Sequence, residues 1–113
     1  MLRKKIIRHK LSMNSPDLIK RLSGNQTIPF IIRSKKYLVF RFETTYKAIV
    51  DNCPHQNKSM EGAICEHDFI VCPIHKYKFS KNTGKGHGLS LDLLEVEIIE
   101  DEVFLLEERV TWF

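Results

Sequence analysis

Cysteine and tryptophan are scarce in this chain: 113 residues carry three cysteines and one tryptophan, with four prolines and five glycines. So few cysteines, and an odd number of them, argue against a disulfide scaffold and favour a metal site in a reducing compartment. Long apolar runs are missing as well. Met1 to Arg8 is basic, but no signal-type apolar stretch follows, and no segment approaches the ~20 apolar residues of a membrane span. Internal repeats and low-complexity linkers are also absent. The expectation is a soluble, cytoplasmic protein with no membrane association. Residues 1–113 are read as one domain, of a size that buries roughly 60–70% of its unfolded surface.

Acidic residues are rare in the first half. Residues 1–50 hold twelve Lys/Arg against two Asp/Glu, and residues 51–113 hold six against twelve, so a net +4 conceals opposite halves. Strand faces with charges turned outward account for this pattern. A basic surface steering the chain to an acidic partner is the sharper alternative. The basic start is a poor nucleic-acid arm, because no basic helix or aromatic stacking set follows it.

Two short sets of candidate ligands stand out against this background. Cys53-Pro54-His55 and Cys72-Pro73-Ile74-His75 are separated by the sixteen residues Gln56 to Val71. Each set offers one thiolate and one imidazole beside a proline that fixes φ and removes a backbone donor. Two sulfur and two nitrogen ligands suit either one tetrahedral zinc or an iron-sulfur centre. A structural zinc site usually takes ligands two to four residues apart at each end. In Cys53-x-His55 only one residue intervenes, and in an extended loop residues i and i+2 lie about 6–7 Å apart on one side. That spacing suits two neighbouring irons better than one zinc.

The pattern resembles the signature of the Rieske 2Fe-2S proteins. Supporting positions agree: Pro54 and Pro73, the mid-loop Gly62, the aromatic Tyr77 after the second histidine, and the later Thr83-Gly84. The motif covers about a third of the chain. The resemblance implies that Cys53 and Cys72 ligate one iron, and that His55 and His75 ligate the outer iron that changes valence. It implies one Rieske-type 2Fe-2S cluster per chain.

Departures from the pattern place the chain among the ferredoxin-like members. The extra cysteines that form a disulfide in respiratory-complex Rieske proteins are here Lys58 and Ile74. The hydroxyl-bearing serine and tyrosine of those high-potential proteins correspond to Tyr77 and Phe79. Hydrogen bonds to the sulfurs raise the potential, so their reduction predicts a value low in the Rieske range of roughly −150 to +300 mV. Lys76 stands where glycine is usual, and costs around 1 kcal/mol if its φ is positive. Asn57 stands where glycine or a basic residue is common.

Around the motif, the periodicity is that of strands. Leu2 to Leu11 reads as a first strand, and Ser15-Pro16-Asp17 as the N-cap and first turn of a short helix ended near Gly24. Ile28 to Ile32, Tyr37 to Phe42 and Ala48 to Val50 alternate with period two and predict an antiparallel meander. Gly62 to Val71 reads as a small hairpin turning at Glu66-His67-Asp68. Leu94 to Leu106 reads as a terminal hairpin turning at Glu100-Asp101-Glu102. Cys65 is expected as a small buried hydrophobe, Met60 as a cover for the cluster or a core filler, and His87 as an exposed loop residue. Gly84, Gly86 and Gly88 suit a flexible third loop that resembles the one flanking the cluster in the family, with a backbone that approaches the cluster closely. Lys58, Lys76, Lys78 and Lys85 are expected to make the tip basic. The roles of Trp112 and Phe113 stay open.

The expected fold is all-β: an antiparallel β-sandwich of Rieske type with a cluster-binding subdomain, about residues 51–88, inserted in it. The expected function is one-electron transfer from a flavin-containing reductase to a terminal oxygenase. A full Rieske oxygenase would need a mononuclear iron domain for which 113 residues leave no room, so the chain is expected to be a carrier and not itself an enzyme. A small Rieske-type subunit of a larger reductase, such as a nitrite reductase, is the alternative. A zinc-binding interaction module is the more distant one.

Overall fold

A computed structural model describes residues 2–52, 59–60, 62–73 and 76–112. Three of the candidate ligands, Cys53, His55 and His75, lie outside the described residues, as do Lys58 and Ile74. The architecture is all-β and antiparallel, as expected. Among the described residues, eleven strands and one helix run in the order β1 Leu2–Asn14, α1 Ser15–Arg21, β2 Ile28–Ile32, β3 Lys35–Phe42, β4 Thr45–Val50, β5 Ile64–Glu66, β6 Phe69–Val71, β7 Lys78–Ser80, β8 Lys85–Gly86, β9 Leu89–Ser90, β10 Leu93–Ile99 and β11 Glu102–Trp112.

Six strands form the main sheet in the order β1-β11-β10-β4-β3-β2, so the two ends of the chain lie side by side in it. The sheet curls until its edge strands β1 and β2 flank a common groove, lined by residues 10–13 and 28–32. Inside the curl, Leu11, Ile28, Tyr37, Val39, Ala48, Val103 and Leu105 form one buried core. Side chains of α1 and of its C-cap residue close one end of it. Leu18 and Leu22 are fully buried there, each contributing roughly 1.5–3 kcal/mol of apolar burial.

The helix starts one residue earlier than its sequence suggests. Asn14, not Ser15, is the N-cap: its side-chain oxygen accepts from Asp17 N at 3.0 Å. Ser15 is the first helical residue, with its own N–H given to Asp101 O at 2.8 Å in the β10–β11 turn. That turn and the β2–β3 turn place two successive residues at positive φ, Glu100-Asp101 and Arg33-Ser34. Such turns match the twist of tight hairpins.

Opposite charges of the two halves meet across the strands. Lys4 pairs with Glu108 at 3.3 Å, Arg8 with Glu97 at 3.0 Å and Lys10 with Glu102 at 3.0 Å. The basic first strand is thus matched by the acidic last ones. At exposed sites such pairs set register more than stability, at about 0–1 kcal/mol each.

Between β4 and β10 the chain leaves the main sheet and builds a three-stranded sheet β5-β6-β7 and the small ribbon β8-β9. A second core joins the two levels: Leu38, Phe40 and Ile49 from β3 and β4 pack with Met60, Ile70, Cys72, Phe79 and Leu91. Polar ties reinforce the junction. Cys65 N donates to Asn25 O at 2.7 Å, Thr27 Oγ1 to Ala63 O at 3.0 Å, and the Lys81 ammonium to Arg41 O at 3.0 Å. Among the described residues no helix is long and apolar enough to cross a membrane.

Candidate metal centre

Both ligand-bearing loops spring from this junction. The β6–β7 hairpin carries the second. Beyond the pair Val71–Lys78, Cys72 N donates to Tyr77 O at 2.8 Å and Lys76 N donates back to Cys72 O at 2.9 Å. These two bonds tie Cys72 to Lys76 and Tyr77 at the base of the second loop. Lys76 stands at φ +55°, the strained conformation anticipated for a lysine in a glycine position.

The first loop leaves the end of β4 and is tied at its base by Asp51. One carboxylate oxygen accepts from Met60 N at 2.5 Å and the other from Ser59 Oγ at 2.7 Å, while the Lys36 ammonium stands 3.6 Å away. Asp51 N in turn donates to Lys36 O at 2.9 Å. Met60 then turns wholly into the junction core, the same core that holds Cys72. The two loops are therefore rooted in one packed unit. Asp51 was unmarked by the motif, and its only signal in the sequence is an acid just before the first ligand set.

The third loop packs on β7. A Cβ on Gly86 would fall 2.2 Å from Lys78 O, and one on Gly84, at φ +75°, 2.7 Å from Leu91 O. The close approaches that these glycines permit are to protein backbone. His87 is exposed but not free-standing. Its ring stacks on Tyr77 with centroids 4.4 Å apart, and its Nε2 accepts from Lys78 N at 3.3 Å.

Other expected residues fall into place. Cys65 is buried, and burial pushes its thiol up despite the nearby Lys81, so it is an inert core residue. His67 sits in the β5–β6 turn with φ +54°. Phe79 is fully buried. Of the expected tip lysines, Lys78 is paired with Glu66 at 2.9 Å, a bond that holds the Glu66 carboxyl below its ordinary range. Lys76 and Lys85 are exposed.

Cys72 is 1% exposed. A cysteine at the base of the second ligand loop, in a core shared with the other loop's Met60, fits a buried metal-sulfur centre. The Rieske [2Fe-2S] domain family matches residues 17–91. The chain belongs to that family. Its cofactor is accordingly a Rieske-type 2Fe-2S cluster, one per chain. The alkene monooxygenase system ferredoxin component of Xanthobacter autotrophicus (strain ATCC BAA-1158 / Py2) is 31% identical over 58 residues, which are 50% of this chain and 48% of that protein. The match thus spans about half the length of this curated relative. Among solved structures, the ferredoxin of carbazole 1,9a-dioxygenase from Nocardioides aromaticivorans IC177 superposes with a TM-score of 0.69 at 17% identity, covering 87% of this chain and 95% of that one. A putative NADH-dependent nitrite reductase small subunit from Mycobacterium tuberculosis gives a TM-score of 0.69 at 12% identity, over 93% and 96%. At these identities the two structures share the fold with this Rieske chain.

Proposed function

We propose that the chain is a one-electron carrier whose cluster is held by Cys53, His55, Cys72 and His75. The observation that carries the reading is Cys72, a buried cysteine at the base of the second ligand loop, in the core that also holds Met60 from the base of the first. When bound, the cluster supplies reversible one-electron chemistry. Cys72 lies in the core that Met60 and Phe79 help to fill, and these two side chains keep water from it. The partners are a flavin-containing reductase and a terminal oxygenase, in keeping with the ferredoxin components among its relatives. The structural likeness to a nitrite reductase small subunit favours a second carrier role, inside a larger reductase. In both roles the chain relays electrons and converts no substrate, in the cytoplasm.

The test is electron paramagnetic resonance of the anaerobically purified, dithionite-reduced protein, with iron, sulfide and zinc assays. A binuclear signal of low mean g with about two irons and two sulfides per chain is expected. About one zinc per chain and no signal would overturn the reading.

A further inference from the structure

At the end of the curled sheet away from α1 the interior changes character. Inward positions alternate along each strand, and the inward series that is apolar in the core ends in polar residues here: His9 after Leu11 on β1, Lys35 before Tyr37 on β3, Glu107 and Arg109 after Leu105 on β11. With Arg33 of the β2–β3 turn these residues line a pocket of about 160 Å³. It adjoins a wider opening of about 490 Å³ that shares Lys35, Tyr37 and Glu107.

In the smaller pocket the cations Arg33, Lys35 and Arg109 outnumber the carboxylates, whereas the wider opening also carries Asp92, Glu95 and Glu108. Glu107 is the pocket's one carboxylate, and it is already engaged, by His9 Nε2 at 2.9 Å and Arg109 Nε at 3.0 Å. Arg33 and Lys35 have no carboxylate within ion-pair distance among the described residues, and the Lys35 ammonium stands 5.9 Å from the Tyr37 ring centroid. Tyr37 itself is 4% exposed, and its hydroxyl has no hydrogen-bond partner among the described residues. Tyr37 lines the pocket, and a hydroxyl at such a wall normally meets a water or a ligand. Burial pushes the Tyr37 phenol up, with the Glu107 charge adding to the effect, so the hydroxyl is kept as a donor.

We propose that this mouth binds a phosphate group, held by the Arg33 and Lys35 side chains and the Tyr37 hydroxyl, with Arg109 completing the positive wall. A phosphate offers three terminal oxygens and about two negative charges, which matches several cations and a neutral donor better than a carboxylate does. The pocket has room for the group, and the wider opening has room for an ester substituent. The site adjoins the first ligand loop, because Tyr37 pairs with Val50 and Lys36 O accepts from Asp51 N. It uses no ligand-loop residue, so it stands or falls separately from the carrier reading.

Calorimetric titration of the cluster-loaded protein with inorganic phosphate, and in parallel with adenosine 5′-monophosphate, tests the site. Saturable one-site binding is expected for at least one of the two. Binding of the ester identifies a phosphate ester as the occupant, and binding of inorganic phosphate alone identifies the free ion. Arg33→Gln, Lys35→Gln and Tyr37→Phe should each weaken it roughly five-fold, the scale of one lost hydrogen bond. Lys4→Gln, on the outer face, should leave it unchanged. The proposal is overturned by the absence of saturable binding up to about 20 mM of either probe, well beyond a millimolar dissociation constant. It is equally overturned by binding that survives both Arg33→Gln and Lys35→Gln, or by equal weakening in Lys4→Gln.

Discussion

The carboxylate of Asp51 spans the first ligand loop, taking Met60 N at 2.5 Å and Ser59 Oγ at 2.7 Å with a side chain only 3% exposed. Because the same residue's N–H is fixed to Lys36 O at 2.9 Å, the loop's two ends are referred to the main sheet through one group. Hydrogen bonds to a buried charged acceptor are worth about 1.5–3 kcal/mol each, and their donors are left unsatisfied when it goes. Asp51→Ala is therefore expected to destabilise the cluster-loaded protein by about 3 kcal/mol or more and to lower iron retained per chain. Denaturant unfolding followed by visible absorbance measures both. An unchanged midpoint would show that the loop is held by other means.

His87 does for the third loop what Asp51 does for the first. Its ring covers Tyr77 and its Nε2 accepts the Lys78 amide, so it ties the β8–β9 ribbon to the residue that closes the second ligand loop. His87→Ala should cost about 1–2 kcal/mol, the sum of one ring pair and one modest hydrogen bond. Amide hydrogen exchange is the more telling measurement, with the Lys78 N–H exchanging faster while amides of β3 and β4 keep their rates. Uniform acceleration throughout the protein would mean that His87 acts on global stability alone.

Much of this architecture is legible in the sequence, and the parts that are not share a cause. Period-two alternation marks β2, β3 and β4 because each buries one face, and the acid-base asymmetry of the two halves is resolved by pairs such as Lys10–Glu102. The cysteine and histidine spacing points to the family directly. The N-cap falls on Asn14 and not Ser15 because Ser15 N–H is claimed by Asp101 O, a contact between residues far apart in the chain. Asp51, His87 and the polar mouth are hidden for the same reason. Lys35, Glu107 and Arg109 read as outward strand charges, yet they lie on the inward series, where only the curl of the sheet makes them neighbours.

Glu107 gives stability a pH dependence of known sign. The Arg109 and His9 hydrogen bonds hold its carboxyl below its ordinary value of 4.5. A lowered native value means that the unfolded chain binds the proton more tightly. The contribution is then fully present above about pH 4.5 and is lost as pH falls through the native value. Glu107→Gln should lower stability by about 1 kcal/mol at neutral pH, the scale of a partly exposed pair, and the gap from the native protein should close toward pH 3. Urea unfolding at a series of pH values checks this, and a gap independent of pH would contradict the assigned cause.

Lys76 offers the most direct measure of strain at the metal centre. Its φ of +55° is fixed by two bonds at once, its own N–H to Cys72 O and the Cys72 N–H to Tyr77 O, so the residue cannot relax without breaking them. A left-handed conformation costs an L-residue roughly 1–2 kcal/mol, and glycine almost none. Glycine also loses more freedom on folding, which offsets part of that gain. Lys76→Gly is expected to stabilise the cluster-loaded protein by up to about 1 kcal/mol, and Lys76→Val, β-branched and least suited to positive φ, to destabilise it by about 1–2 kcal/mol. Removal of an exposed charge is common to both substitutions, so opposite signs of the shift in unfolding midpoint isolate the backbone term. Equal shifts would mean that the lysine charge, and not the backbone, sets stability at this position.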